Sequence, residues 1–102
     1  MVILQVHFDY TGGYGKEMYK ESLDLAKSIN DEPGFLWKIW TENEEKGIAG
    51  GVYAFDTREN AEVYIKMHKE RIEKFGIGKD FVVEIFDVND DLSQVTNFKF
   101  QK

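Results

Sequence analysis

The stretch Phe35-Leu-Trp-Lys-Ile-Trp-Thr-Glu-Asn43, followed by Glu44-Glu-Lys-Gly47 and Ile48-Ala-Gly-Gly-Val-Tyr-Ala-Phe55, decides the fold. Two extended aromatic runs flank a short charged turn, and this pattern reads as an antiparallel hairpin. Alternation puts Phe35, Trp37, Ile39 and Thr41 on one face of the first strand and Leu36, Lys38, Trp40 and Glu42 on the other. Gly50 and Gly51 inside the second strand suggest a bulge or a close approach by another group. Upstream, Val2 to Tyr10 alternates with period two, so a strand is expected, closed by the loop Thr11-Gly12-Gly13-Tyr14-Gly15. Lys16 to Asn30 carries Met18, Ser22, Leu25, Ala26 and Ile29 at helical spacing. Asp31-Glu32-Pro33-Gly34 ends that helix, because the residue before a proline is pushed out of the α region. Downstream, Asp56 is expected to cap a second helix, with Glu59 completing a capping box and Thr57 as the competing cap. Its inward stripe is Ala61, Tyr64, Ile65, His68, Ile72 and Phe75, and Gly76-Ile77-Gly78 ends it. Phe81 to Val88 reads as a last strand. The tail from Asn89 to Lys102 carries Leu92, Val95, Phe98 and Phe100 at no clean period.

The order is therefore β-α-β-β-α-β, the α+β ferredoxin-like plan of one antiparallel sheet with two helices on one face. The chain has 102 residues, which fits a single domain over 1–102, since domains most often run to about 100–150 residues. There is no cysteine, so a disulfide framework, a thiolate metal site and a cysteine nucleophile are excluded. A formal charge of −6 argues against nucleic acid as partner, because phosphate binding needs clustered Lys and Arg. No apolar run approaches the ~20 residues that span a bilayer, and the N-terminus lacks a secretory pattern, so no membrane partner and a cytoplasmic location are expected.

The helix-covered face is expected to hold Val2, Leu4, Val6, Phe8, Phe35, Trp37, Ile39, Ala49, Gly51, Tyr53 and Phe55, with Met18, Leu25, Ile29, Tyr64 and Ile65 from the helices. The opposite face would carry Ile3, Leu36, Trp40, Val52 and Ala54. An apolar sheet face of that size predicts an association surface, and a symmetric homodimer would bury it. The tail could reach the partner subunit or dock on its own. His7, on that same face, is expected to be structural.

His68 is the most informative residue. It points at the sheet from an apolar stripe, where an ionisable group finds a partner or stays neutral. Two readings follow. One is a structural histidine bonded to Tyr53, Trp37 or a backbone carbonyl. The other is a cavity residue that moves a proton, orients a ligand or holds a metal centre, with Trp37, Tyr53 and Phe55 as flat apolar walls. Other constellations carry less. The loop at residues 11–15 matches no phosphate-binding pattern. Asn89-Asp90-Asp91 and Glu42 to Glu45 fit no calcium loop. Two histidines build no closed zinc site, so no metal is expected, and no serine stands in a nucleophile elbow.

Glu32-Pro-Gly-Phe-Leu-Trp-Lys-Ile-Trp-Thr-Glu42, with Leu4-Gln-Val-His-Phe8, Ala49-Gly-Gly-Val-Tyr53 and Phe86-Asp-Val-Asn-Asp-Asp-Leu-Ser-Gln94, closely resembles the YdhR family of putative mono-oxygenases, almost end to end. The resemblance implies a dimeric α+β barrel and oxidation of a small aromatic, phenolic or quinone-like compound. Some relatives of this plan work without metal or flavin, the substrate's own anion passing electrons to oxygen. Others degrade haem, with a helix histidine as iron ligand and an Asn and a Trp closing the pocket. His68 is similarly placed to that histidine, but Val6 and Phe55 stand where the haem group has Asn and Trp. The resemblance thus favours a cofactor-independent oxygenase over haem. In that reading the substrate stacks on Trp37 and Phe55, with Tyr64, Gly51 and Val6 completing the lining. His68 or Tyr53 then accepts or directs the phenol proton. A non-enzymatic small-molecule binder, a haem-binding protein and a purely structural dimer are the alternatives.

Overall fold

The computed structural model describes residues 1–99; Phe100, the last of the apolar tail positions, lies outside them. Strands β1 (Val2–Tyr10), β2 (Phe35–Asn43), β3 (Ile48–Phe55) and β4 (Gly78–Asp87) form one antiparallel sheet in the order β2-β3-β1-β4. Helices α1 (Lys16–Ile29) and α2 (Arg58–Phe75) make the two crossovers, and a short α3 (Asp90–Val95) follows β4. The fold is the ferredoxin-like α+β plan. In the core, Leu4, Tyr53, Phe55 and Ile29 are sealed between sheet and helices. Each such side chain stabilises the fold by roughly 1.5–3 kcal/mol.

Local chemistry sets the helix ends. The α2 cap is Thr57, whose hydroxyl accepts the Asn60 amide hydrogen at 3.2 Å. Asp56, one residue earlier, instead accepts from the Asn60 side chain at 2.8 Å, so the cap lies one residue later than the capping-box pattern suggested. Phe75, expected on the inward stripe, is instead 69% exposed as the last residue of α2, next to the Gly76 cap. α1 has no side-chain cap of its own. Gly15 precedes it at φ 60, a left-handed conformation suited to glycine, and its N–H donates to Glu42 Oε1 on β2 at 3.0 Å. The tail is not irregular throughout: Asn89 caps α3 by accepting from the Leu92 amide at 3.1 Å.

Two irregularities in the sheet were invisible to alternation. β4 begins at Gly78, three residues before the expected Phe81. An extra β4 residue between the His7–Val82 and Asp9–Lys79 pairs is absorbed where Asp80 takes φ 57. The second irregularity matters more. On β2, Phe35 pairs with Phe55 but Trp37 pairs with Ala54, so one extra residue sits at Leu36. A one-residue bulge flips every later side chain to the other face. Trp37 and Ile39 therefore lie beside Ala54 and Val52 on the face away from the helices. Lys38, Trp40 and Glu42 lie beside Tyr53, Gly51 and Ala49 on the helix side. This reverses the expected placement of Trp37, Ile39 and Trp40.

The open face carries an apolar group interrupted by exposed Gln5, His7 and Glu84. Ile39 is 57% exposed, Val82 52% and Phe86 46%, with Ile3, Trp37 and Val52 partly covered among them. His7 stands exposed on this face.

Candidate active site

Helix α2 lays Ala61, Tyr64, Ile65, His68 and Ile72 on the sheet. His68 is 3% exposed, the one polar or charged side chain in the core among the described residues. Its ring stacks on Tyr64 (5.2 Å between centroids, 21°) and meets Tyr53 edge-on at 6.5 Å. The Tyr64 hydroxyl donates to the Tyr53 hydroxyl at 3.3 Å.

Arg71, three residues along the same helix, places Nη2 2.8 Å from His68 Nδ1. A guanidinium only donates, so Nδ1 accepts and a neutral imidazole carries its hydrogen on Nε2. Burial, with the Lys38 and Arg71 charges adding to it, pushes the imidazole down to about 3. His68 is thus a hydrogen-bond donor towards the cavity it lines, not a base near neutrality.

The group that titrates near neutrality comes from β2. Lys38 runs over Gly51, where an added Cβ would meet its Cε at 2.6 Å, and its Nζ sits 4.5 Å over the Tyr53 ring. Trp40 covers the same ammonium at 3.3 Å. Burial, and then the Arg71 charge, lowers Lys38 to about 7. Burial also raises both phenols, Tyr64 to about 12 and Tyr53 further, so Tyr53 stays a protonated donor.

These groups line a cavity of about 50 Å³ shared by Val6, Lys38, Trp40, Tyr53, His68 and Met18. Such a volume holds a few water molecules and falls far below the ~300–1,000 Å³ of ligand pockets. Trp40 separates it from two surface clefts between α1 and β2. One, of about 340 Å³, runs along Met18, Ser22 and Glu42; the other, of about 370 Å³, runs along Ala26, Phe35 and Trp37. Met18, Ser22 and Trp40 line both the cavity and the first cleft, so the two lie side by side.

Of the residues singled out in the sequence, His68, Tyr53 and Val6 line the cavity. Gly51 supplies the gap that Lys38 crosses. Tyr64 backs His68, and Phe55 stacks behind Tyr53 at 6.2 Å, so neither forms its wall. Trp37 is on the other face of the sheet at this point, and Trp40 takes the place expected for it. Lys38, Trp40 and Arg71 were missed. The first two were hidden by the bulge. Arg71 was readable from its spacing of three from His68 on a helix.

No curated protein matches the sequence closely enough to count as a relative. Solved structures do match the fold. A putative antibiotic biosynthesis monooxygenase from Deinococcus radiodurans aligns with a TM-score of 0.62 at 12% identity, over 87% of this chain and 93% of that one. MhuD, a haem degrader from Mycobacterium tuberculosis solved with two haems in its active site, aligns with a TM-score of 0.60 at 16% identity, over 87% and 96%. At these identities the likeness is one of fold. A family model described as "putative mono-oxygenase ydhR" matches residues 3–99, nearly the whole described chain. On that match, the chain belongs to the ydhR family of putative mono-oxygenases.

Proposed function

We propose that the protein is a mono-oxygenase that oxidises a small aromatic, phenolic or quinone-like compound without metal or flavin, and that it acts as a homodimer. The observation that carries this reading is the donor-lined cavity at His68, Tyr53 and Lys38 inside a mono-oxygenase family fold. In a cofactor-independent reaction the substrate supplies every electron: a ring CH2 and one O2 become a ring C=O and one water. The protein's part is to take the first proton and hold the resulting oxyanion. Lys38, held near neutral pH by burial, takes the proton. The Tyr53 hydroxyl and His68 Nε2–H are placed to donate to the oxyanion. Trp40, covering Lys38, forms the flat wall and excludes water.

Haem fits these residues less well. The imidazole already accepts from Arg71, the cavity is about 50 Å³, and a lysine reaches into it. The apolar residues of the open face, Ile39, Val82 and Phe86, support the homodimer, while Ser93, Thr96 and Phe98 of the tail border a cleft with Ile3, Trp37 and Val52 on the same subunit's sheet, which favours a tail docked on its own subunit.

The test is oxygen uptake with anthrone and hydroquinone substrates. Uptake with one oxygen atom in the organic product, lost in Lys38→Met, is the expected result. A ligand that raises Tm while no oxygen is consumed would favour a non-enzymatic binder instead. A Soret shift on haemin titration that depends on His68 would favour haem.

A further inference from the structure

Arg71 forms no part of the cavity wall, yet it reaches both polar residues that do, His68 directly and Tyr53 through Tyr64. Its Nη2 lies 2.8 Å from His68 Nδ1. The guanidinium also hydrogen-bonds the Tyr64 hydroxyl, which lies 3.3 Å from the Tyr53 hydroxyl. The side chain is partly buried, and no carboxylate pairs with it among the described residues.

Imidazole carries its hydrogen on either nitrogen, and a phenol both gives and accepts, so the groups in front of Arg71 have two ways to run. A guanidinium has N–H donors only and stays ionised throughout the range in which proteins fold. Beside it each group keeps one arrangement. Nδ1 accepts, so the hydrogen of His68 sits on Nε2. The Tyr64 oxygen accepts, so Tyr64 gives its own proton to Tyr53, and Tyr53 keeps a proton for the cavity. A carboxylate paired with Arg71 would compete for the same N–H groups. The chain has 19 acidic residues, and none of those described takes that place.

We infer that Arg71 is a positioning residue: from behind His68 and Tyr64 it sets the direction of two hydrogen-bond chains so that each ends in a donor facing the cavity, His68 Nε2–H and Tyr53 O–H. This deepens the reading of the cavity as the reaction site and rests on it, because donors fixed in advance meet a developing oxyanion without reorganising.

The test reads the ring nitrogens of His68 by two-bond proton–nitrogen NMR on the intact protein between pH 5 and 8, with His7→Gln to remove the signals of the other histidine. Hydrogen on Nε2 and none on Nδ1 is the expected wild-type result. In Arg71→Glu the new carboxylate only accepts, so Nδ1 should take a hydrogen and Tyr64 should turn its proton away from Tyr53. In oxygen uptake with anthrone, Arg71→Glu should lose about 100-fold in kcat, the usual cost of an oxyanion donor, and Arg71→Lys, which still only donates, should recover part of it. Hydrogen on Nδ1 of the wild type overturns the inference, and this reading stands even if Arg71→Glu fails to fold. A bare Nδ1 in Arg71→Glu, or undiminished kcat in that variant, overturns it as well. Should the wild type consume no oxygen with any aromatic, the mono-oxygenase reading fails, and the nitrogen spectra still decide the role of Arg71.

Discussion

Lys38 Nζ lies 3.3 Å from the centre of the Trp40 ring, so two residues of one edge strand, i and i+2, cover each other on the helix side of the sheet. A cation over an indole contributes about 0.5–2 kcal/mol, more when desolvated. That contact partly offsets the cost of burying the ammonium. It also fixes Trp40, 37% exposed, as the wall shared by the cavity and the surface cleft.

Replacing Lys38 separates stability from function. Lys38→Met keeps the length of the chain over Gly51 and removes a buried charge, so Tm should rise at pH 6. A folded-state value of about 7, below the usual lysine range, means the unfolded chain binds more protons between about pH 7 and ~10.5. Wild-type stability should accordingly gain from Lys38 as pH rises through that window, and the gain should vanish in the variant. The groups facing Lys38 are Trp40 from β2, Tyr53 from β3, and His68 and Arg71 from α2. Thermal melts from pH 6 to 10 check it.

The imidazole gives a second window of the same sign at lower pH. His68 stays neutral in the folded protein down to about 3, whereas the unfolded chain protonates near ~6.5. The folded state therefore loses the His68 contribution as pH falls below ~6.5, fully by about pH 3. Denaturant unfolding of wild type and His68→Gln at pH 7 and pH 4 should show a smaller pH loss in the variant. An equal loss in both would remove His68 from the acid response.

Gly51→Ala tests whether Lys38 needs its corridor. The new methyl would meet Lys38 Cε at 2.6 Å, the far end of a flexible side chain that can swing away, and would press on Ile39 O and Tyr53 Cε1, each at 3.2 Å. The expected loss in unfolding free energy is about 1–3 kcal/mol. Oxygen uptake should fall much further, and its inflection near pH 7 should move up as Lys38 regains water.

On the open face, Val52→Arg puts a charge between Ile39 and Gln5 in the centre of the sheet. In the proposed homodimer a charge in that interface costs several kcal/mol, so the variant should sediment as a monomer while the wild type, on that reading, sediments as a dimer. Its far-UV circular dichroism should stay unchanged, because the side chain points away from the core.

Thr57→Ala should cost about 1 kcal/mol in urea unfolding, through loss of the bond to the Asn60 amide. Glu59→Ala should cost little, since Thr57 and Asp56 hold the start of α2 without it.

The sequence alone determined the element order, the hairpin, the inward aim of His68 and the apolar group on the open face. Each follows from local periodicity: alternation over Val2–Tyr10 and Ile48–Phe55, and helical spacing from Ala61 to Ile72, are properties of consecutive residues. It also carried the family, in aromatic and glycine blocks along the chain. Only the tertiary structure decided which β2 side chains meet His68. Gly34 at φ 74 and the extra residue at Leu36 reset the strand's pairing with β3, and pairing is a relation between segments that alternation within one strand does not contain. The same holds for Arg71 on His68 and for the lowered Lys38. Both depend on what burial strips of water, and burial is fixed when helix, sheet and edge strand come together.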